Sequence, residues 1–327
     1  MILVTGGAGF IGSNIVAALA ERGVPVVVCD RFRHGGKWRN LAKRELRDVV
    51  APEALMPWLE EHGDAVDTVV HMGAISSTTE TDVDLIMETN FRLSMRIWRW
   101  CADRGKRLIY ASSAATYGAG ERGFDDDGSL EALAQLHPLN AYGWSKHLFD
   151  RWVARELAQG APHPRQWVGL KFFNVYGPNE YHKGGMRSVV DQKYPLVAAG
   201  EPVSLFRSYR TGIPDGGQRR DFVYVGDCVA VVSWLLEHPD VSGLFNLGTG
   251  TAHSFDDLAR AIFAAVGRPA NITYIDMPEA IRPNYQYFTQ ANMERLRKVG
   301  YSRPFTSIAD GVNEYVGRYL SQPDRYR

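Results

Sequence analysis

Two side chains near the middle of the chain could perform acid/base chemistry. Tyr142 and Lys146 are four residues apart in a segment whose pattern predicts a helix, so both side chains lie on one helical face. An ammonium group beside a phenol lowers the pKa of the phenol, which makes tyrosine usable as a base near neutral pH. The same spacing is also common in helices without a catalytic role. The position of the pair in the fold must therefore distinguish a catalytic pair from an ordinary one.

Ser113 indicates where in the fold such a site would lie. It follows the apolar run 107–112, which predicts a strand, and open α/β sheets bind their ligands beyond the carboxyl ends of their strands. A hydroxyl at this position can hydrogen-bond an oxygen that becomes a carbonyl. The alternative is that Ser113 only caps the end of the strand.

A glycine-rich segment at the start of the chain predicts a dinucleotide site. Thr5-Gly6-Gly7-Ala8-Gly9-Phe10-Ile11-Gly12 follows the apolar run 2–4 and precedes a helical pattern over 13–21. Glycine permits a tight turn and a close approach to the pyrophosphate, which then faces the free N–H groups of the helix. The predicted cofactor contacts in this segment are Gly6, Gly9, Phe10, Ile11 and Gly12.

Charged residues after the second predicted strand bear on the choice of cofactor. Asp30 ends the run 24–29 at about the distance expected for a ribose contact, although an ordinary strand-end role is open. Arg31, Arg33 and Lys37 beside it form either a site for the 2′-phosphate of NADP or a solvated loop. We expect NADP as the cofactor, with NAD as the alternative.

Composition favours a small-molecule partner. The formal net charge of the 327 residues is zero, which gives no electrostatic case for nucleic acid or an anionic membrane. No apolar stretch approaches the roughly 20 residues of a membrane span, so we expect a cytoplasmic protein. Cys29, Cys101 and Cys228 are widely spaced, which predicts buried free thiols, and we find no metal site.

The order of apolar runs and helical patterns predicts an α/β fold. Runs at 2–4, 26–29, 68–71, 107–112 and 168–172 alternate with helical segments such as 86–104 and 145–158. This alternation is typical of a Rossmann-type doubly wound parallel sheet. We expect a cofactor-binding domain at 1–173 plus about 221–248, where strands recur, and a smaller α/β substrate-binding lobe at about 174–220 plus 249–327.

The chain resembles the extended short-chain dehydrogenases/reductases over nearly its whole length. The resemblance is carried by the glycine motif, by Arg220-Asp221-Phe222-Val223-Tyr224-Val225-Gly226-Asp227 and by Asn246-Leu247-Gly248-Thr249-Gly250. It implies that Ser113, Tyr142 and Lys146 serve hydride transfer and that Lys146 also holds the nicotinamide ribose. It further implies a homo-oligomer such as a pentamer. Members of this family include nucleotide-sugar epimerases, dehydratases and reductases.

Two observations narrow the activity that the resemblance implies. Dehydratases of the family carry an acidic pair after the catalytic hydroxyl residue, where this chain has Ala114 and Ala115. The segments 112–118, 173–186 and 285–290 are similar to those of epimerases that interconvert the D-glycero and L-glycero forms of ADP-manno-heptose at C6, for the lipopolysaccharide core. By this resemblance Lys183 is a second acid/base residue, opposite Tyr142. The alternative is a loop lysine that contacts the substrate diphosphate.

Other activities stay open from the sequence. They include another nucleotide-sugar epimerase, such as a UDP-hexose 4-epimerase or a GDP-heptose epimerase, a net reductase, and a redox-sensing binding module without chemistry. A sensor has no need of Tyr142 and Lys146, which argues against the last of these.

The resemblance also implies a set of binding residues. Those expected at the cofactor, besides the residues above, are Met72, Gly73, Ala74, Ile75, Ser76, Asn90 and Val175. Those expected at the substrate are Ser113, Asn174, Gly185, Gln192, Phe206, Arg207, Ser208, Tyr209, Arg220 and Tyr285. Arg220 suits the diphosphate because its fork fits two phosphate oxygens, or else it pairs with Asp221 or Asp215.

The chain departs from the family pattern at four of its positions. Met72 replaces an acidic residue, Gly185 a serine and Gln192 a histidine, and the cofactor lysine expected near Pro52 is absent. This protein can therefore differ from its family in cofactor affinity and in how it fits the substrate.

Overall fold

The structure is a computed structural model that describes residues 1–33, 35–279, 282 and 285–327. In this part of the chain the strands are β1 (Ile2–Thr5), β2 (Val26–Cys29), β3 (Asp48–Val50), β4 (Thr68–His71), β5 (Arg107–Ser113), β6 (Gln166–Phe172), β7 (Asn174–Tyr176), β8 (Val203–Phe206), β9 (Arg219–Tyr224), β10 (Gly243–Leu247), β11 (Ala252–Ser254) and β12 (Ile272–Ile275). The α-helices are α1 (Phe10–Glu21), α2 (Leu55–His62), α3 (Val83–Ile86), α4 (Leu93–Asp103), α5 (Leu130–Leu133), α6 (Ala141–Ala158), α7 (Val189–Ala199), α8 (Val225–Glu237), α9 (Phe255–Val266), α10 (Glu294–Lys298) and α11 (Ile308–Tyr315). A π-helical segment, Met87–Arg92, joins α3 to α4, and 3₁₀ turns include Ala114–Tyr117 and Tyr181–Met186.

Seven strands form one parallel sheet in the order β10-β6-β5-β4-β1-β2-β3. All five apolar runs predicted as strands lie in this sheet, which confirms the doubly wound fold. β1, β4 and β5 are consecutive neighbours in the sheet, so their carboxyl ends meet at one edge. Ligand sites of such sheets form at that edge.

Helices cover both faces of the central sheet. On one face α1 and α8 pack together around Ile15, Leu19 and Val232. On the other face α2, α4 and α6 supply an apolar layer that includes Trp98 and Phe149. Because both faces are covered, the strands are runs of apolar residues without polar alternation, which is why they stand out in the sequence.

The remaining strands form two small sheets beside the main one. The predicted strand at 221–225 is observed as β9, but it pairs with β7 and β11 and not with the central sheet. α8 follows β9 at once and packs on α1, so the chain returns to the main layer through a helix. The run 244–247 is β10, which pairs with β6 in the central sheet as expected.

Two further properties of the described residues concern the predictions above. The thiols of Cys29, Cys101 and Cys228 are free and buried, as predicted. None of the described helices combines the length and the apolarity that a membrane crossing requires.

Candidate active site

The turn between β1 and α1 forms a cradle without room for side chains. Gly6 has a φ of +63°, and a Cβ there would lie 2.7 Å from the Gly73 Cα. A Cβ on Gly12 would overlap the carbonyl oxygen of Gly6. α1 has Gly9 as its N-cap and no side-chain cap, so its first N–H groups are available to an anion. The cradle therefore fits the pyrophosphate of a dinucleotide.

Asp30, just after β2, is held against this cradle. Its carboxylate accepts hydrogen bonds from the Ala8 N–H at 2.9 Å and from the Arg31 N–H at 2.7 Å. The Lys37 ammonium lies 2.6 Å from the same carboxylate. Arg31 instead directs its guanidinium to Glu53, with Nε 2.7 Å from Oε1. Lys37, and not Arg31, is therefore the basic side chain that pairs with Asp30.

The segment after β4 closes the cradle from the other side. It holds the predicted cofactor residues Met72, Gly73, Ala74, Ile75 and Ser76. Asn90, fully buried in the π-helical segment, accepts a hydrogen bond from the Ile75 N–H at 2.8 Å and donates to the Ile75 carbonyl at 2.9 Å. The Asn90 amide also donates to the Ser145 hydroxyl at 3.0 Å. Asn90 therefore fixes the backbone of this segment and connects it to α6.

Ser113, Tyr142 and Lys146 come together where β5 ends and α6 begins. The Ser113 hydroxyl lies beside the Tyr142 phenol, whose pKa it lowers, and accepts a hydrogen bond from the Ala115 N–H at 3.1 Å. The Ala115 contact is the capping role considered for Ser113, while its hydroxyl also faces the phenol of Tyr142. Lys146, only 3% exposed, donates to the Ala111 carbonyl oxygen at 2.9 Å. The three side chains form one constellation at the ligand edge of the sheet.

The protonation of this constellation differs in one respect from the expectation. Burial raises the pKa of Tyr142, and the hydrogen bond with Ser113 only partly opposes that rise. Burial lowers the pKa of Lys146 to about 8, against the pull of Asp150. The pKa of Tyr142 is therefore not depressed as predicted, because desolvation outweighs the neighbouring groups. A further positive charge is needed to make Tyr142 a base.

Lys183 lies in the 3₁₀ turn Tyr181–Met186, which Gly184 permits with a φ of +56°. The Lys183 ammonium is 5.3 Å from the centroid of the Phe10 ring, at the first residue of α1. Burial lowers the pKa of Lys183, and the carboxylate of Glu180 opposes that fall. A lysine whose pKa is lowered in this way is a better proton acceptor and donor than an exposed lysine, and this one lies beside the glycine cradle.

Buried asparagines from α1 and its neighbourhood hold the chain just before the Lys183 turn. Asn179 has a φ of +74°, which is uncommon outside glycine, and its carbonyl accepts a hydrogen bond from Asn40 at 3.0 Å. Asn14 on α1 donates to the Pro178 carbonyl at 2.9 Å. The turn is therefore fixed relative to the helix whose N-terminus faces the cofactor cradle.

Residues near the C-terminus contact the Lys183 turn and the chain just before it. The Tyr181 hydroxyl donates to the Arg325 carbonyl at 2.6 Å, and the Arg327 N–H donates to the Asn179 side chain at 3.0 Å. The Arg325 guanidinium pairs with buried Asp191 on α7 at 2.6 Å. Residues from both halves of the chain thus determine where Lys183 lies.

A buried arginine on β9 lies among aromatic side chains. Arg220, on β9, is 7% exposed and lies between aromatic rings, 5.3 Å from the centroid of Tyr285 and 5.6 Å from that of Phe255. Phe206 meets Tyr285 edge to face, with ring centroids 6.4 Å apart. The Arg220 guanidinium also donates to the Gln286 carbonyl. Arg220, Phe206 and Tyr285, all predicted at the substrate, therefore form one cluster.

The ion pair considered for Arg220 is not formed. Asp221 instead accepts the N–H groups of Thr249 at 2.7 Å and Gly250 at 2.9 Å. Asp215 accepts the Ser208 N–H at 2.8 Å. Burial lowers the pKa of Arg220, and no carboxylate among the described residues forms an ion pair with it. Arg220 is therefore a desolvated cation that a phosphate would neutralise.

The other predicted substrate residues lie in three places. Asn174 is exposed at the start of β7, next to Val175, which is predicted at the cofactor. Gly185 and Gln192 contact each other directly, because the Gln192 amide donates to the Gly185 carbonyl at 3.2 Å. The loop after β8 contains Arg207, Ser208 and Tyr209. Tyr209 is 48% exposed beyond the Arg220 cluster.

The comparison with family models decides the classification. Residues 2–248 match the NAD dependent epimerase/dehydratase family. The chain belongs to this family. A nicotinamide cofactor is therefore supported for the cradle, in agreement with the sequence prediction.

Curated relatives match the chain from end to end. It is 46% identical over 335 residues to ADP-L-glycero-D-manno-heptose-6-epimerase of Fusobacterium nucleatum, covering 100% of both chains. It is 50% identical over 328 residues to the enzyme of the same name from Nitratidesulfovibrio vulgaris, covering 99% of each.

Solved structures agree with the fold. ADP-L-glycero-D-manno-heptose-6-epimerase of Helicobacter pylori superposes with a TM-score of 0.79 at 28% identity, covering 97% of this chain and 95% of the other. UDP-glucose 4-epimerase of Thermus thermophilus, solved with NAD, superposes with a TM-score of 0.76, also at 28% identity and covering 97% of each chain.

Sequence analysis missed several residues that hold this epimerase-family site together. Asp150 is eight positions after Tyr142, so helical spacing alone would have placed it on the same face. Asn40 and Asn179 gave no signal, because isolated asparagines in loops look alike whether they are buried or solvated. Their roles depend on contacts between distant parts of the chain.

Proposed function

We propose that this protein inverts C6 of ADP-D-glycero-D-manno-heptose to give ADP-L-glycero-D-manno-heptose, for the heptose of the lipopolysaccharide core. The observation that carries the proposal is the end-to-end similarity, at 46–50% identity, to enzymes of that name. The site supports it independently, since a cofactor cradle, a buried Tyr-Lys-Ser constellation and a second base-capable lysine occur together.

The chemistry requires an acid/base group and a hydride acceptor. A bound oxidised nicotinamide would accept the hydride of C6, return it later, and supply a positive charge that favours the Tyr142 phenolate. Tyr142 takes the proton of the C6 hydroxyl while Ser113 hydrogen-bonds the oxygen that becomes a ketone. Lys146 keeps a positive charge beside the phenol. The cofactor is recovered in each turnover, so no net consumption of NADPH is expected.

Inversion explains why a second acid/base group is needed. After oxidation, C6 is planar, and the ketone must present its other face before the hydride returns. The ketone oxygen then lies on the other side of the site and requires its own proton donor. Lys183 fits this role, because its turn is fixed against α1 and its pKa is lowered by burial.

Arg220 is the proposed partner of the substrate diphosphate. A guanidinium binds phosphate oxygens through two parallel hydrogen bonds, and the bond is stronger in a desolvated site. The flanking Tyr285 and Phe206 rings then offer apolar faces for the nucleoside. In this arrangement the nucleotide lies near β9, and the sugar extends toward Tyr142.

We propose NADP as the natural cofactor. Lys37 contacts Asp30 at 2.6 Å, and Arg31 lies next in the chain. A carboxylate already occupied by a lysine is a poor acceptor for a free 2′-hydroxyl of NAD, whereas Lys37 can shift to bind the 2′-phosphate of NADP.

The variant Lys37→Met tests this choice. We expect its affinity for NADP to fall by about 10- to 100-fold, as for loss of a charged hydrogen bond, while its affinity for NAD stays within a few-fold. Isothermal titration of nucleotide-free protein with each cofactor measures both. Lys298→Met, which removes an exposed lysine paired with Glu294, is the matched control. Equal losses for NAD and NADP would contradict the proposal.

We further propose that the enzyme is cytoplasmic and works as a homo-oligomer such as a pentamer. A nucleotide-sugar and a nicotinamide cofactor are both cytoplasmic metabolites, which supports the location. Light scattering of the purified protein reads the oligomeric state.

The function itself is tested by proton NMR of ADP-D-glycero-D-manno-heptose incubated with the purified protein. We expect the L-glycero epimer to appear without added cofactor and without loss of NADPH absorbance. Competition by ADP, but not by UDP or GDP, would exclude the other nucleotide-sugar epimerases. An unchanged spectrum after supply of NADP would overturn the assignment.

A further inference from the structure

A buried ion pair lies directly behind the catalytic helix and takes no part in the steps above. Asp150 on α6 and Lys171 on β6 are both fully buried, with the carboxylate 2.8 Å from the ammonium. Buried ion pairs seldom add stability, because desolvation of both charges offsets their attraction. A role in the catalytic site therefore explains this pair better than a contribution to stability does.

Hydrogen bonds join the pair to the strand end that carries Ser113. Ser112, directly before Ser113, donates its hydroxyl to Asp150 at 2.7 Å. Lys171 donates to the Thr116 hydroxyl at 2.7 Å, in the turn directly after Ser113. The pair therefore fixes the end of β5 relative to α6.

Asp150 also shares a helical face with the two catalytic groups of α6. Tyr142, Lys146 and Asp150 follow one another at intervals of four residues, so they line one side of the helix. The negative charge of Asp150 favours the protonated form of Lys146, whose pKa burial lowers to about 8. Without Asp150, desolvation of Lys146 would be unopposed.

Other titratable groups around Lys146 do not replace Asp150. Burial lowers the pKa of His71 on β4 to about 3 and that of His147 to about 4, so both imidazoles are neutral. The phenols facing this region have raised pKa values and are also neutral; they are Tyr110, Tyr117 and Tyr142. The charged side chains on the helices that pack against α6 include Asp84, Glu88, Arg92 and Glu131, which are exposed.

We propose that Asp150 is a positioning residue for the reaction, which keeps the Lys146 ammonium charged while Lys171 holds Asp150 in place. This inference rests on the proposed function, in which Lys146 must be charged for hydride transfer. Lys171 partly neutralises Asp150, so the two members of the pair have opposite effects on Lys146. A purely structural pair would not show that opposition.

The experiment compares Asp150→Asn/Lys171→Met with Lys171→Met in the cofactor-bound enzyme. The double variant leaves no lone buried charge, which protects its fold. We expect the alkaline limb of its pH–turnover profile to move down by about one pH unit, which lowers the ratio of turnover at pH 8 to that at pH 6 roughly five-fold. In Lys171→Met the limb stays in place or moves up.

A second readout does not depend on activity. The Cε chemical shift of Lys146 in ¹³C-lysine-labelled protein, assigned with Lys146→Arg, reports the protonation of the ammonium directly. We expect its titration to move down in the double variant and not in Lys171→Met. If both variants fold and neither titration nor the limb moves, the proposal is overturned. If the wild type does not epimerise the substrate, the proposed function fails, while the NMR titration still decides the role of Asp150.

Discussion

Replacement of Tyr142 by phenylalanine is expected to lower the turnover of ADP-heptose epimerisation by about 10³-fold, the scale of a lost acid/base group. The change removes only the phenolic oxygen, which lies beside Ser113 and on the same helical face as Lys146. The cradle and the Arg220 cluster are untouched, so the affinities for cofactor and substrate should stay within a few-fold of the wild type.

Proton NMR of the epimers under single-turnover conditions measures this effect. Tyr301→Phe is the matched control, because the Tyr301 hydroxyl is buried and has no hydrogen-bond partner among the described residues. That variant should turn over at the wild-type rate. A loss of less than ten-fold in Tyr142→Phe would remove Tyr142 from the mechanism.

Lys183→Met, together with Tyr142→Phe, tests the two-base mechanism. If the two bases lie on opposite sides of C6, each variant retains one of them. Each variant should still oxidise the epimer whose hydroxyl faces its remaining base. Reduced nicotinamide should then accumulate with one epimer in Tyr142→Phe and with the other in Lys183→Met. Normal turnover by Lys183→Met would refute the two-base mechanism and favour a contact of Lys183 with the diphosphate.

The second large effect is expected from Gly12→Ala. A Cβ at this position would overlap the Gly6 carbonyl oxygen, and the overlapping atom is backbone that cannot rotate away. α1 must move relative to the cradle, so its N–H groups no longer converge on the pyrophosphate. We expect cofactor affinity to fall by at least about 100-fold, and overpacking to destabilise the fold by about 1–3 kcal/mol.

The nucleotide content of the purified protein and its thermal unfolding measure these two effects. Gly317→Ala is the matched control, since Gly317 lies in a helical segment with nothing within 4 Å of an added Cβ. It should keep the cofactor and gain up to about 1 kcal/mol of stability from helix propensity. A cofactor-loaded, stable Gly12→Ala protein would show that the cradle does not bind the pyrophosphate as inferred.

Much of the central sheet could be predicted from sequence because its strands are covered on both faces. Such strands are unbroken apolar runs, and 2–4, 68–71 and 107–112 are clear examples. β3 was missed because two of its three residues are exposed, so no apolar run marks it. The pairing of β9 with β7 was also missed, since a buried strand gives no indication of which sheet it joins.

The candidate site was predictable to the extent that its residues are close in sequence. Tyr142 and Lys146 share a helix, and Gly6 and Gly12 share a turn, so their spacing carries the geometry. The protonation of Tyr142 was not predictable, because desolvation depends on how deeply β5 and α6 bury it. The support of Lys183 was equally hidden, since it comes from Asn40 and Arg325.

The contacts of Arg325 and Arg327 with the Lys183 turn have a consequence for the order of assembly during synthesis. The cofactor cradle is made by β1, β4 and the segment before Asn90, all within the first third of the chain. The Lys183 turn gains its last contacts only when residues 325–327 have left the ribosome. Because domains generally fold as units and α1 packs on α8, the cradle can form once the chain as far as β10 has been synthesised, before the Lys183 turn gains these contacts.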